Sequence, residues 1–248
     1  MIENAVLARV FKRSICNDFE LVYFYGNFVF QIPKVKTKKR KNEVKNMSVL
    51  VMVYGQSGTG KSSSLRNFDP NEVAVVNVSG KPMPFRTKLH TYNSDDYGKI
   101  MSALSKTERK SIVIDDATYL MVGEFMRNAK VAGYQKYTDM AVSFNNLIEY
   151  ASKLPDDVIV YFLGHSDQAD DGREHFKTIG KMLDNYVTVE GKFTIVLKTV
   201  VQDGRYLFST HNNGQDTVKS PMGLFEQDLI ENDLKAVDTA IREYWDIK

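Results

Sequence analysis

Apolar segments of strand length alternate with segments of helical length along most of the chain. Four apolar segments lie at residues 48–54, 72–78, 111–116 and 158–163. Helical stretches fall between them, notably at 97–105 and 138–152. Continuous apolar strands are typical of a sheet covered on both faces, and parallel strands need helical crossovers. The pattern therefore predicts an α/β fold with a mostly parallel sheet flanked by helices.

The pattern changes after Gly180, where β-rich runs follow one another directly. These runs lie at residues 186–190, 193–201 and 205–210. The glycine-containing turns 190–192 and 202–205 separate them, which predicts antiparallel β-hairpins that extend the sheet near the C-terminus. The tail at 227–244 alternates acids with apolar residues at helical spacing, which predicts an amphipathic helix.

Composition excludes several classes of protein. The chain has 248 residues, of which 43% are hydrophobic and 26% charged, so it can bury a core and is not a disordered tail. The single cysteine, Cys16, cannot form an internal disulfide, which excludes a stapled secreted domain. No run approaches the ~18 apolar residues of a membrane span, and no signal-peptide pattern is present. We expect a soluble cytoplasmic protein without a membrane partner.

Positive charge is concentrated at the start of the chain. Residues 1–46 hold ten Lys or Arg and four acids, a net charge of +6, which leaves −4 for residues 47–248. We interpret 1–46 as a basic appendage and 47–248 as the main domain. The basic run at 34–45 is either a solvated linker or a nucleic-acid-binding arm. A third interpretation is that Met47 is the natural start, because a purine-rich ribosome-binding region would be translated as such a basic run.

The aromatic stretch at 21–32 is a separate feature of the appendage. Its alternating β-formers predict a hairpin with Gly26-Asn27 as the turn.

A glycine-rich motif directly follows the first apolar strand and fits the pattern G-x-x-x-x-G-K-S/T at every fixed position. Its residues are Gly55, Gln56, Ser57, Gly58, Thr59, Gly60, Lys61 and Ser62, with Ser63 beginning the next segment. Glycines let successive backbone N–H groups point at phosphate oxygens. Lys61 is expected to reach the β- and γ-phosphates of ATP, and the Ser62 hydroxyl to bind Mg²⁺. The alternative is a chance glycine-rich turn.

The context of this motif is also typical of a phosphate-binding loop. An apolar strand precedes it, and residues 63–68 are expected to begin a helix that Asp69-Pro70 ends, because proline disfavours helical geometry in the residue before it.

Two carboxylates end the third apolar strand. Asp115 is expected to hold Mg²⁺ through water, as a Walker B acid does. Asp116 occupies the position of the residue that orients the attacking water. The alternative for Asp116 is a cap on the next helix, and Glu124 is a further candidate for the base.

The fourth apolar strand ends at Gly164-His165. In a domain with a phosphate-binding loop, a polar residue there can sense the γ-phosphate, so His165 is a catalytic candidate; a purely structural histidine is the alternative. Ligands of open α/β sheets bind outside the carboxyl ends of the strands, which is where we expect the nucleotide.

Several stretches together resemble one known family. They are the glycine-rich motif, VSGKPMPF at 78–85, IDDATYLM at 114–121, VYFLGH at 160–165 and NNGQDTVKSP at 212–221. Over about residues 47–248, and not over 1–46, the chain resembles the phage-encoded RecA-like P-loop ATP-binding proteins of the Sak single-strand-annealing type. The motifs of the phosphate loop and the acidic strand are shared by all P-loop NTPases, whereas the later stretches are more specific.

The resemblance implies a Mg²⁺-dependent ATPase that acts on single-stranded DNA during phage recombination or replication in the cytoplasm of a bacterial host. It implies two DNA-facing loops, 122–138 and 166–184, in which basic residues alternate with aromatic ones. The residues concerned are Arg127, Lys130, Tyr134, Lys136 and Tyr137 in the first loop, and Arg173, His175, Lys177 and Lys181 in the second. Ordinary solvated loops are the alternative. A phage or host single-strand-binding protein is a further implied partner.

The chain lacks two features of bacterial RecA, the glutamate after the first core helix and the separate C-terminal domain. Annealing or a mediator role is therefore favoured over strand exchange.

RecA-like ATPases commonly complete their site with a cation from a neighbouring subunit. Lys219, in a turn-rich segment after the last hairpin, is the first candidate, and Arg205 is the second. This assignment implies a homo-oligomer with an ATP site completed in trans. The alternative for Lys219 is a solvated surface lysine.

Three other functions remain open. One is a helicase loader or packaging-type motor ATPase, and another is a P-loop kinase of a small molecule, although no Arg-rich lid follows the fourth apolar strand. A nucleotide-gated scaffold without catalysis is the third.

Overall fold

The computed structural model describes residues 47–180, 182–183 and 187–247, together with five short strands before residue 32. The chain divides into two compact units, Met1–Lys45 and Asn46–Lys248.

The first unit contains short antiparallel pairs. Its strands are β1 (Val10–Phe11), β2 (Ser14–Ile15), β3 (Asp18–Phe19), β4 (Val22–Tyr25) and β5 (Phe28–Gln31). Strand β4 pairs with both β1 and β5, and β2 pairs with β3. Tyr25 lies opposite Phe28, which confirms the two strands of the predicted hairpin. The turn Gly26-Asn27 and the basic run 34–45 lie outside the described residues.

The second unit contains the remaining strands and all of the α-helices described. Its strands are β6 (Val49–Gly55), β7 (Val73–Asn77), β8 (Thr91–Asn93), β9 (Ser111–Asp115), β10 (Ile159–Gln168), β11 (Glu174–Phe176), β12 (Ile195–Gln202), β13 (Arg205–Ser209) and β14 (Leu229–Glu231). Its helices are α1 (Tyr97–Lys106), α2 (Thr118–Arg127), α3 (Gln135–Ser152) and α4 (Leu234–Tyr244), with 3₁₀-helices at Ser62–Asn67 and Val189–Lys192. No helix in the described part of the chain is both long and apolar enough to cross a membrane.

The central sheet confirms the predicted α/β class. Its strand order is β14-β13-β12-β6-β10-β9-β7-β8, and β11 pairs with the end of β10. Every neighbouring pair from β12 through to β8 is parallel. Strands β13 and β14 add antiparallel pairs at the C-terminal edge, and β11 is antiparallel to β10.

Helices cover both faces of the sheet, which explains why its strands are continuously apolar. On one face, Leu50, Met52 and Tyr54 of β6 pack in a core with residues of α1, α2 and α3. On the other face, Val51 and Val53 pack with residues of the 3₁₀-helix Ser62–Asn67 and of α4. Alternate residues of one strand thus enter opposite cores.

One of the two predicted hairpin turns is confirmed. Gln202 lies opposite Arg205, so β12 and β13 form a hairpin closed by Asp203 and Gly204. Both turn residues have positive φ, 51° and 74°, as a two-residue turn between twisted strands favours.

The other predicted turn, Glu190-Gly191-Lys192, is wrong. These residues form a 3₁₀-helix. The reason is tertiary: Val189 and Phe193 enter the core, and the Glu190 carboxylate accepts a hydrogen bond from the Phe176 amide at 3.0 Å. Strand β12 pairs in parallel with β6 and antiparallel with β13, and therefore forms no hairpin across residues 190–192.

The C-terminal helix is shorter than predicted. Leu229 and Ile230 belong to the edge strand β14, and helix α4 begins only at Leu234. Asp233 marks the boundary because its carboxylate accepts hydrogen bonds from the amides of Lys235 (3.0 Å) and Ala236 (3.3 Å), which caps the helix.

The two segments expected to be DNA-facing loops contain regular structure at their ends, so the irregular connections within them are shorter than predicted. In the first, α2 extends to Arg127 and α3 begins at Gln135, because Phe125 and Tyr137 pack against the core. In the second, β10 runs to Gln168 and forms a hairpin with β11. Lys181 lies outside the described residues.

Candidate functional site

A cavity of about 730 Å³ opens at the carboxyl ends of β6, β7, β9 and β10. The carboxyl ends of parallel strands share one edge of a sheet, so residues distant in sequence meet there. The predicted site residues that line the cavity are Ser57, Gly58, Gly60, Lys61, Ser62, Ser63, Asp115, Asp116 and His165. Residues that the sequence had not singled out as site residues also line it, among them Arg66, Asn77, Lys81, Tyr119, Tyr206, Glu231 and Asn232.

The glycine-rich loop, residues 55–62, is shaped by close approach and by backbone conformation. A Cβ on Gly55 would lie 1.9 Å from Thr199 Oγ1, so only glycine lets β6 pass β12 at this point. Gly58 and Gly60 have φ of 80° and 94°, which favours glycine. The Thr59 hydroxyl lies 2.5 Å from that of Thr199 and fixes the outer side of the loop to β12.

The segment after the loop is helical, as predicted, but it is a 3₁₀-helix rather than an α-helix. It spans Ser62–Asn67, and the chain leaves it at Phe68 in an extended conformation, just before Asp69-Pro70.

Lys61 is buried inside the loop, with a relative exposure of 6%. Its ammonium donates hydrogen bonds to the carbonyl oxygens of Gly55 (2.9 Å) and Gln56 (2.8 Å). Burial lowers the pKa of Lys61, and the nearby charges of Asp116 and Asp115 oppose that shift. The Lys61 ammonium is therefore a hydrogen-bond donor inside the loop. An anion that enters the loop can replace the two carbonyls as its acceptor.

Asp115, the last residue of β9, contacts the loop directly. The Ser62 hydroxyl donates a hydrogen bond to Asp115 Oδ1 at 3.0 Å. Burial raises the pKa of Asp115 to about 6, and the charge of Asp116 acts in the same direction. A hydroxyl and a carboxylate are oxygen ligands of the kind that Mg²⁺ prefers. No group of three His, Cys, Asp or Glu suited to a metal ion occurs among the described residues, so phosphate and water oxygens would have to complete the shell.

Asp116 points its charge into the cavity rather than capping a helix. Its backbone has φ of 61°, which is uncommon for a residue other than glycine. The N-cap of α2 is Ala117 and no side chain caps that helix, so the alternative role as a cap is wrong. Asp116 Oδ1 lies 3.8 Å from His165 Nε2, and Oδ2 lies 3.8 Å from Lys81 Nζ.

His165 lies between the loop and the acidic pair because β10 is inserted between β6 and β9. Its amide donates a hydrogen bond to Thr118 Oγ1 at 3.0 Å, and its ring packs edge-on against Tyr119 at 5.4 Å. Burial lowers the pKa of His165, and the charge of Lys61 adds to that shift. The imidazole is thus neutral at pH 7 and offers one donor and one acceptor.

The most informative residue missed in the sequence analysis is Lys81, in the stretch 78–85. Its ammonium lies 4.9 Å above the centroid of the Tyr119 ring and close to Asp116. Asn77, 3% exposed at the end of β7, holds this stretch: its Nδ2 donates to Lys81 O at 2.6 Å and its Oδ1 accepts from Gly80 N at 2.9 Å. A polar residue ending an apolar strand marked Asp115 and His165, and the same signal marks Asn77.

Three residues of the glycine-rich loop, Gly55, Gln56 and Thr59, do not line the cavity, and neither do three further candidates of the same chain. Lys219 bridges Val196 of β12 through two backbone hydrogen bonds of 2.8 and 3.0 Å. Glu124 accepts a hydrogen bond from Ser143, and Arg205 pairs with Glu231 across the sheet edge. The role of Lys219 in trans concerns a second copy, so it stays a prediction.

No protein-family model matches this chain, and comparison with curated proteins found no match.

The buried charge of Asp115 predicts a stability effect with a defined sign. Its folded pKa of about 6 exceeds the usual 3.8, so the folded state is penalised once Asp115 ionises. Asp115→Asn should therefore raise the free energy of unfolding at pH 7 by about 1–3 kcal/mol. The gain should shrink as pH falls through 6 and vanish below about 4, where the unfolded carboxyl is also protonated. Thermal unfolding from pH 4 to 8 measures this effect.

The control for this experiment is Asp170→Asn, which makes the same chemical change at an exposed position outside the cavity. It should leave the unfolding temperature unchanged at every pH. An Asp115→Asn gain that is equally large at pH 4 and pH 7 would contradict the assigned cause.

Proposed function

We propose that this chain is a Mg²⁺-dependent P-loop ATPase of RecA-like architecture that acts on single-stranded DNA in phage recombination or replication. The observation that carries the proposal is the meeting of five predicted residues in one cavity. They are Lys61, Ser62, Asp115, Asp116 and His165, and they come from the ends of three different strands. A chance glycine-rich turn gives no reason for this convergence.

The residues present fit a nucleoside triphosphate with Mg²⁺. Lys61 would bind the β- and γ-phosphates after giving up its two loop carbonyls. Ser62 and Asp115, already 3.0 Å apart, would hold the metal directly and through water. When bound, Mg²⁺ would supply Lewis-acid polarisation of the phosphate oxygens.

The acidic and cationic residues around this pair fit hydrolysis. Asp116 would orient the attacking water. His165, 3.8 Å from Asp116, would contact the γ-phosphate through its neutral imidazole. Lys81 would add a cation to the same region from within the chain. The α/β core with its antiparallel C-terminal hairpin is compatible with RecA-like architecture.

The α2–α3 connection supports a nucleic-acid partner, although it is shorter than the expected loop. Tyr134 is 87% exposed there, and Lys130 is exposed on the same connection. Lys136 lies 5.5 Å from the ring of Tyr137. An exposed aromatic ring on a connection that also carries lysines suits base stacking and backbone contact with single strands.

Lys61→Ala should abolish ATP hydrolysis, because it removes the buried charge placed for the phosphates. Phosphate release at saturating ATP and Mg²⁺ measures it. Lys99→Ala, at an exposed position of α1, is the matched control and should hydrolyse ATP at the unchanged rate. Wild-type turnover by Lys61→Ala would refute the proposed phosphate site.

Single-stranded DNA should stimulate ATP hydrolysis if the chain acts in recombination. Phosphate release with and without a DNA of defined length measures this, and Tyr134→Ala should lose part of the stimulation while retaining basal activity. Transfer of phosphate to an added metabolite would favour a small-molecule kinase, and stimulation only by a protein partner would favour a loader or packaging motor. Nucleotide binding without hydrolysis under any condition would favour a scaffold.

Mixing of inactive variants distinguishes a cation that a neighbouring subunit supplies to the ATP site from a cation of the same chain. Lys219→Ala should bind ATP normally and hydrolyse it poorly, and a mixture with Lys61→Ala should regain activity, because an intact loop can then meet an intact Lys219 across an interface. Lys81→Ala mixed with Lys61→Ala should stay inactive, since Lys81 serves its own chain. No recovery by the Lys219 mixture in a demonstrated oligomer would remove Lys219 from the site.

A further inference from the structure

The end of the cavity formed by Tyr206 and Asn232 is not used by the phosphate chemistry. Asn232 is 1% exposed, and neither its side-chain Nδ2 nor its Oδ1 has a hydrogen-bond partner. Leaving buried polar atoms unpaired costs about 1–3 kcal/mol each. A ligand that hydrogen-bonds to this amide would therefore supply the partner that the protein itself does not.

The backbone around Asn232 prevents the amide from moving elsewhere to find a partner. Its N–H donates to the Tyr206 carbonyl at 3.2 Å, and its own carbonyl accepts a hydrogen bond from Arg66 of the 3₁₀-helix. The next residue, Asp233, accepts a hydrogen bond from Asn67 at 2.7 Å. Asn232 and Asp233 are thus both hydrogen-bonded to the segment that follows the glycine-rich loop.

The amide lies directly beside that loop. A Cβ on Gly60 would come within 3.0 Å of Tyr206 Cδ1 and 3.3 Å of Asn232 Oδ1, so the two side chains meet at this glycine. Tyr206 is 49% exposed, whereas Asn232 is buried. An accessible ring close to an amide with a free donor and a free acceptor matches the two contacts that a nucleobase offers, stacking and an edge.

We propose that Asn232 and Tyr206 form the base-binding end of the site and recognise adenine. The inference rests on the proposed ATPase function and deepens it. The Asn232 amide accepts from the 6-amino group of adenine and donates to a neighbouring ring nitrogen, a two-point contact that asparagine makes with adenine. Tyr206 turns outward as the base enters and stacks on it.

Binding to three probes in Mg²⁺ buffer tests the proposal: ATP, purine riboside triphosphate, which lacks the 6-amino group, and inorganic tripolyphosphate. By titration calorimetry, the wild type should bind ATP about tenfold more tightly than purine riboside triphosphate, the value of one hydrogen bond. Asn232→Ala should abolish that preference. Tyr206→Ala should weaken both nucleotides and leave tripolyphosphate affinity unchanged, whereas Tyr206→Phe should retain stacking.

The control is Asn146→Ala, at an exposed position of α3 outside the cavity lining, which should keep the wild-type preference. Equal wild-type affinities for ATP and purine riboside triphosphate would overturn the base site while leaving the phosphate site intact, and they require no variant to fold. Equal preference in wild type and Asn232→Ala would overturn it too. Failure of both ATP and tripolyphosphate to bind would overturn the proposed function together with the base site.

Discussion

Burial of the Lys61 ammonium is the constraint on which the cavity depends. A charge removed from water must be paired or hydrogen-bonded, and the Gly55 and Gln56 carbonyls provide the hydrogen bonds. Turning these carbonyls inward requires the tight curl of the loop. The curl in turn places glycine at positions of positive φ and at the close approach to Thr199. Under the proposed function, an anion would replace the two carbonyls as the hydrogen-bond partner of Lys61.

Because of the charges around Lys61, a phosphate ligand would bind more favourably together with a cation. Asp115 and Asp116 face one buried ammonium, and the His165 ring is neutral because burial and Lys61 lower its pKa. At pH 7 the acids therefore outnumber Lys61, and a polyphosphate would add further negative charge. Mg²⁺ held by Ser62 and Asp115 would reduce that repulsion, and Lys81 lies 3.8 Å from Asp116, where its charge opposes the excess. Burial is the main cause of the raised pKa of Asp115, and the charge of Asp116 raises it further.

Local signals predict this molecule well wherever the outcome depends on neighbouring residues in sequence. Apolar runs ended by polar residues located β6, β9 and β10, and Asp203-Gly204 located a hairpin by its turn chemistry. Tertiary contacts decided the rest. The 3₁₀-helix Val189–Lys192 forms because its apolar residue enters the core, although the sequence resembles a turn. The backbone of Asn232 is held by Arg66 and Tyr206, which are distant in sequence, so no local pattern could predict that its side chain is buried without a partner.

The two ends of the cavity each contain a buried polar group that is unfavourable in the folded chain. At one end, Asp115 is buried near another carboxylate, and at the other the Asn232 amide is buried without a partner. Each arrangement destabilises the folded chain, yet each holds a polar group fixed where a ligand would satisfy it. The 3₁₀-helix Ser62–Asn67 contacts both residues, through Ser62 to Asp115 and through Arg66 to the backbone carbonyl of Asn232. Under the proposed function, a cation bound with the phosphates would offset the charge at Asp115, and a base would pair with the Asn232 amide. A nucleotide together with its metal would therefore satisfy both groups, whereas a polyphosphate alone would add to the negative charge.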